Sequence, residues 1–225
     1  KTFLKKDNNL KKIIDNFTYK FLRGEKIGII GRNGSGKSTF LKIINDKNLI
    51  QEGSIKIKKN IKINYFDQSG QQLNKQKSIK YNLVSSGGDY LEVAGKKIHV
   101  CGYLKNFLFD PKNIDQKVES LSGGEKNRLL LAKILSDPKD LLLLDEPTND
   151  LDIETIDILI EFIKEYKGGV LIVSHDIDFL EKTVDKFFLL DGTGKVNITA
   201  DYKKIFQREN FSGKEKIIPK SLNNK

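Results

Sequence analysis

The chain has 225 residues, enough for one domain with a full hydrophobic core and a smaller subdomain. Its longest apolar runs, such as those at 141–144 and 170–173, are far short of the roughly 20 residues that cross a bilayer, and no signal peptide is visible, so membrane insertion is not expected. The formal charge of +10, from 40 basic and 30 acidic residues, raises the question of a nucleic-acid partner. In chain order, KIGII at 26–30 reads as a buried strand ending at Gly31, and 37–44 has helical spacing. Residues 54–57 and 62–66 read as two strands with alternating faces about a basic turn, and an antiparallel edge sheet with 17–21 is expected.

The middle of the chain differs in character. YLEVAGKKIHV at 90–100 predicts a small hairpin, and 100–109 an apolar helix ended by Asp110 and Pro111. This region, about 69–138, reads as a mainly helical subdomain inserted into the core. A helix is predicted from Ser122 to about Ser136, a parallel-type strand at 141–144, a helix at 153–166, a strand at 169–174, a helix at 179–184 and a strand at 187–190. The alternation defines an α/β core. Residues 1–208 are expected to form the domain, with 209–225 a linker or tail.

The chemistry starts at 31–38, which fits G-x-x-x-x-G-K-[ST] between the predicted strand and helix. Glycines let several backbone N–H groups close on a phosphate, and the helix presents its positive end to the same anion. Lys37 can then reach the outer phosphates, and the Ser38 hydroxyl is placed to ligate Mg²⁺. A second segment, LLLLDE at 141–146, carries Asp145 and Glu146 to the end of a buried strand, where ligands of such sheets sit. Asp145 can hold the metal shell and Glu146 can polarise a water for attack on the γ-phosphate. Together the segments point to binding and hydrolysis of a nucleoside triphosphate. Ser122, Gly123 and Gly124 open a helix and form a further anion site. His175, following a strand, reads either as a capping residue or as a phosphate contact.

GRNGSGKST (31–39), LSGGE (121–125), LLLLDEPTNDLD (141–152) and VSHD (173–176) resemble the phosphate loop, signature, Walker B with D-loop, and H-switch of the ATP-binding cassette (ABC) family. Gln68, in YFDQ, matches its Q-loop, and the resemblance covers nearly all of residues 1–200. LSGGEKNRLLLAKIL and DEPTNDLD are similar to the twin-cassette ABC-F proteins, and GKKIHVCGYLKNFLF followed by DPK resembles the second cassette of the bacterial Uup subgroup. The resemblance implies a P-loop core of ABC type with an antiparallel β subdomain and an inserted signature subdomain. It also implies ATP and Mg²⁺ as ligands. Gly31, Asn33, Gly34, Ser35, Gly36, Lys37, Ser38 and Thr39 would hold the phosphates, and Phe3 would stack on adenine. Ser38, Gln68 and Asp145 would organise metal and water, with Glu146 as general base and His175 sensing the γ-phosphate. Ser122, Gly123, Gly124 and Glu125 would serve the ATP of an opposing cassette.

By the same resemblance the chain is expected to be a cytoplasmic ATPase that couples ATP to engagement of the ribosome or other RNA, with DNA as a second nucleic-acid partner. An energising subunit of a membrane transporter and a ribosome-protecting antibiotic-resistance factor are the alternatives. The basic charge stays open: only Arg23, Arg32, Arg128 and Arg208 are arginine, and abundant Lys, Asn and Ile also follow from an AT-rich genome. Lysine clusters at 5–12, 56–62 and 203–204 would meet phosphates rather than base edges. Cys101 is the one cysteine and reads as a small packed side chain suited to a reducing compartment. The chain lacks methionine and opens at Lys1 in mid-pattern, as expected of a piece of a longer polypeptide.

Overall fold

The structure, a computed structural model, describes residues 2–6, 9–50, 52–67, 72–93 and 95–201, with side chains from Ile13 onward. A six-stranded sheet organises it, built from β3 (Lys26–Gly31), β4 (Ile63–Phe66), β7 (Leu141–Asp145), β8 (Gly169–Val173), β9 (Lys186–Leu190) and β10 (Val196–Thr199) in the order β10-β9-β3-β8-β7-β4. All neighbours run parallel except β10, which returns antiparallel to β9. Five strands therefore end on the same edge, the edge that receives ligands in sheets of this kind.

Both faces of the sheet are covered, which is why its strands read as continuous apolar runs. On one face Leu142, Leu144, Val170, Ile172 and Phe187 pack under α4 (Gly123–Ser136), α5 (Ile153–Glu165) and α6 (Ile177–Thr183). On the other, Ile27, Ile29, Leu143, Leu171, Val173 and Phe188 pack under α1 (Lys37–Asn45), whose Phe40, Leu41 and Ile43 are buried. A separate antiparallel pair, β1 (Thr2–Lys6) and β2 (Asn9–Ile14), joins this second layer through Ile13 and Ile14.

Between β4 and β7 lie α2 (Ile79–Leu83), the hairpin β5 (Tyr90–Val93) and β6 (Lys96–His99), α3 (Val100–Lys105) and the long α4. They form one core with the sheet: Tyr103 donates its hydroxyl to the Ala132 carbonyl at 2.8 Å, and Leu104, Phe107, Leu129 and Leu130 are buried together. Cys101 is half-buried and free. No helix among the described residues is long and apolar enough to cross a membrane.

Several local expectations are corrected. Residues 54–57 form no strand: Ile55 packs against the core and Lys56 is exposed, so the alternation records one buried side without a ladder. Segment 17–21 is likewise no strand, although Phe17 and Tyr19 pack on Phe188. β4 runs parallel beside β7, and the antiparallel pair is supplied by β1 and β2 instead. α3 ends at Lys105; tight turns carry the chain to Phe109 through Leu108, whose φ of 58° ends helical geometry. Residues 209–225 lie outside the described part.

Candidate nucleotide site

The loop after β3 is shaped by two close approaches. A Cβ on Gly31 would lie 2.4 Å from the Leu190 carbonyl oxygen, and one on Gly36 would lie 2.3 Å from Ile13 Cγ2. Gly36 also has φ 104°, a conformation that side chains oppose. It stands at the N-cap of α1 with no side-chain cap, so the helix start is open to an anion. Ser35 Oγ is buried without a hydrogen-bond partner among the described residues, and Asn33 and Gly34 are exposed at the loop crest. Thr39 follows in the first turn of α1, half-buried. These features suit a loop that closes on phosphate oxygens.

Lys37 is only 7% exposed, and its ammonium donates to the carbonyls of Gly31 at 2.9 Å and Arg32 at 3.3 Å. Burial lowers its pKa, while the charges of Glu146 and Asp145 pull it back up. The cation thus spans the phosphate loop and the acidic pair.

That pair is delivered by β7. Ser38 donates to Asp145 Oδ1 at 2.9 Å, joining α1 to a strand two places from β3 in the sheet. The other carboxylate oxygen, Oδ2, accepts from the Tyr65 hydroxyl at 3.3 Å. Burial first, then the neighbouring Asp145 and Asp67, raise the Tyr65 pKa and keep that hydroxyl a donor.

Glu146 sits at φ 53°, a strained setting fixed by its N–H donating to the Val173 carbonyl at 2.8 Å. Its side chain is 17% exposed, and burial pushes its carboxyl up to about 7 against the opposing pulls of the His175 N–H and Lys37. The His175 backbone N–H donates to Glu146 Oε2 at 3.2 Å, and His175 Nε2 lies 3.3 Å from Oε1. Burial, then the Lys37 charge, lower the His175 pKa, so the imidazole is neutral at neutral pH. A buried carboxylate with a pKa near 7 has the proton affinity a general base needs.

The signature residues are held differently. Ser122 caps α4 and Glu125 completes a capping box: Ser122 Oγ accepts from the Glu125 N–H at 3.3 Å, while Glu125 Oε2 accepts from the Ser122 N–H at 2.8 Å and hydroxyl at 2.7 Å. Gly123 follows in the first turn, with open space at its Cβ position. At Gly124 a Cβ would lie 3.2 Å from the Asp150 carbonyl oxygen, and Arg128 Nη1 lies 3.8 Å from Asp152 Oδ2. The start of α4 therefore rests on the D-loop of its own chain.

Of the residues singled out in the sequence, Lys37, Ser38, Asp145, Glu146 and His175 come together. Gln68 lies outside the described residues, and Phe3 falls on β1 opposite Lys12 with its side chain also outside them. Sequence reasoning missed Tyr65, whose signal was a tyrosine three positions before Gln68 on a strand of unsuspected register. It also missed the Arg128–Asp152 tie.

A strand, a glycine-turned loop, a Lys-Ser helix start and an acidic pair on a parallel strand define a P-loop nucleoside triphosphatase. The family described as ABC transporter matches residues 14–149, and the chain belongs to that family of ATP-hydrolysing cassettes. It is 45% identical to the ATP-binding protein Uup of Buchnera aphidicola (subspecies Schizaphis graminum) over 209 residues, which is 92% of this chain and 35% of that protein. With Uup of Escherichia coli K12 it shares 45% over 188 residues, covering 84% and 29% respectively. The energy-dependent translational throttle protein EttA of Haemophilus influenzae is 34% identical over 210 residues, covering 93% and 36%. The chain thus spans about a third of the length of these curated relatives. Among solved structures, the dimeric ATP-binding cassette MJ0796, in a post-hydrolysis state bound to ADP and Pi, superposes with a TM-score of 0.67 at 22% identity. It covers 88% of this chain and 94% of that one, which establishes the shared fold.

Proposed function

We propose that the chain is the ATPase cassette of a cytoplasmic twin-cassette ABC-F protein of Uup type, using ATP binding and hydrolysis to lock and release contact with the ribosome or another nucleic acid. The observation that carries the chemistry is the 2.9 Å Ser38–Asp145 hydrogen bond with Glu146 next in chain. The relatives' length, about three times that of this chain, and the dimeric arrangement of the solved MJ0796 cassette support the twin-cassette setting.

The phosphate-loop N–H groups and Lys37 bind the β- and γ-phosphates and orient the terminal group. Ser38 and Asp145 fit Mg²⁺: both offer hard oxygen donors, and no group of three or more His, Cys, Asp or Glu among the described residues could hold an ion alone. A site of one hydroxyl and one carboxylate suits a cation that keeps waters and takes substrate phosphates as ligands. When bound there, Mg²⁺ neutralises charge on the phosphate oxygens. Glu146 takes a proton from the water in line with the γ-phosphate, and His175 holds Glu146 in place. Ser122, Gly123, Gly124 and Glu125 face the ATP of the second cassette, with the D-loop beside them.

The test is co-sedimentation of the full-length parent carrying Glu146→Gln with ribosomes and ATP. ATP-dependent retention is expected. Retention on DNA without retention on ribosomes would transfer the role to DNA, and no retention on either would overturn the nucleic-acid reading.

A further inference from the structure

Asp145 is gripped by both oxygens, and only one grip belongs to the phosphate loop. Oδ1 accepts from Ser38; Oδ2 accepts from Tyr65. The sheet register explains how a tyrosine arrives there. β4 and β7 are parallel, with Tyr65 opposite Leu143, so Asp145 lies two residues further along β7 on the same face. With strands about 4.8 Å apart and a rise of about 3.3 Å per residue, such diagonal neighbours lie roughly 8 Å apart, a gap that a long aromatic side chain can span. Leu143 and Tyr65 both belong to the core layer under α1, the helix that begins with Ser38. The three polar groups therefore meet because one sheet face and one helix start share a layer.

The backbone of Tyr65 is tied as well. Its carbonyl accepts from the Gln72 side-chain amide, and the Gln72 carbonyl accepts from Lys133 Nζ of α4 at 2.8 Å. The residue that touches Asp145 thus also holds Gln72, and through Lys133 it is linked to α4.

We propose that Tyr65 is a positioning residue for the metal site: its hydroxyl, donated to Asp145 Oδ2, fixes the carboxylate so that Oδ1 stays beside Ser38. The inference rests on the reading of Ser38 and Asp145 as the Mg²⁺ residues. Tyr65 acts through Asp145 rather than as a ligand: its protonated hydroxyl donates to Oδ2, the carboxylate oxygen that Ser38 does not use. Partners of this outer kind that hydrogen-bond a ligating carboxylate change metal affinity by about 10–100-fold when removed.

The experiment compares Tyr65→Phe with Ser38→Ala and Asp145→Asn, using Mn²⁺ as an electron-paramagnetic probe of metal binding to the full chain with ADP. Tyr65→Phe keeps the ring in the core and removes one hydroxyl. It is expected to weaken Mn²⁺ binding by about 10–100-fold, to leave ADP affinity in EDTA unchanged, and to have no further effect in the Asp145→Asn background. Wild-type Mn²⁺ affinity in Tyr65→Phe, alongside a loss in Ser38→Ala, would overturn the positioning role and leave the metal site standing. Wild-type affinity in all three variants would overturn the metal site, and Tyr65's role with it. Equal weakening by Tyr65→Phe in the Asp145→Asn background would show that the hydroxyl acts on packing rather than on Asp145.

Discussion

Glu146 and His175 are joined twice, by a backbone N–H to Oε2 at 3.2 Å and by Nε2 to Oε1 at 3.3 Å. The first contact comes from the main chain after β8 and does not depend on the protonation of the imidazole. The orientation of Glu146 is therefore built into the sheet, and the histidine ring adds a second, pH-sensitive hold.

Glu146 makes the fold less stable as pH rises. Its folded pKa of about 7 is above its ordinary 4.5, so between those values the native state binds more protons than the unfolded chain and stability falls with increasing pH. His175, with a lowered pKa, gives the opposite slope below its ordinary 6.5. Glu146→Gln removes the carboxylate contribution and is expected to stabilise the chain by about 1–3 kcal/mol at pH 8 and by much less at pH 5. Thermal unfolding at both pH values checks this; an equal gain at both would refute the buried-carboxylate account. ATP turnover in the same variant should fall by about 10²–10⁴-fold with nucleotide binding retained.

Lys37→Ala should weaken ATP binding by about tenfold to a hundredfold, the scale of a lost charged hydrogen bond. It also frees the Gly31 and Arg32 carbonyls from their ammonium. Titration with a fluorescent ATP analogue measures the loss, and unchanged affinity would remove Lys37 from the phosphate contacts.

Gly36→Ala meets two obstacles, the 2.3 Å approach to Ile13 and the positive φ. A destabilisation of about 1–3 kcal/mol is expected. Adding Ile13→Ala relieves the crowding but not the φ, so the double variant should recover ATP binding only in part. Full recovery would mean that crowding alone demands the glycine.

Asp152 caps α5 by accepting from Thr155 N–H at 2.8 Å and the Thr155 hydroxyl at 3.1 Å, and it faces Arg128. Burial opposes its ionisation, but these hydrogen bonds and Arg128 outweigh it and hold the carboxyl below its ordinary 3.8. The resulting stability is present above pH 3.8 and is lost as pH falls through the lower folded value. Asp152→Ala should cost about 0.5–2 kcal/mol at neutral pH, and Asp152→Asn less because the cap survives. Denaturant unfolding at pH 7 and pH 3 distinguishes them; a difference that persists undiminished in acid would exclude the ionised cap.

Much of this was legible in the chain. Continuous apolar runs such as LLLL and GVLIV gave β7 and β8 because parallel strands are buried on both faces, and Gly31, Gly36 and Lys37 carried the phosphate loop on spacing alone. The pairing of β4 was not legible. Alternation at 62–66 says which side is buried but not which strand lies alongside, so the Tyr65–Asp145 contact could not be foreseen. β1 and β2 escaped for a related reason: Lys5, Lys6, Lys11 and Lys12 dilute the apolar pattern, and a hairpin at the edge of a core needs few buried residues. β10 is short, with half-buried Val196 and exposed Ile198, and was missed for the same lack of contrast.

The capping box at the start of α4 has a bearing on how anions are received there. The Ser122 hydroxyl hydrogen is already given to Glu125, and a carboxylate already occupies the positive end of the helix. A phosphate arriving at this turn cannot simply add a contact. In the proposed reading it would have to trade with a resident negative charge, so its net gain would be a difference between two similar interactions.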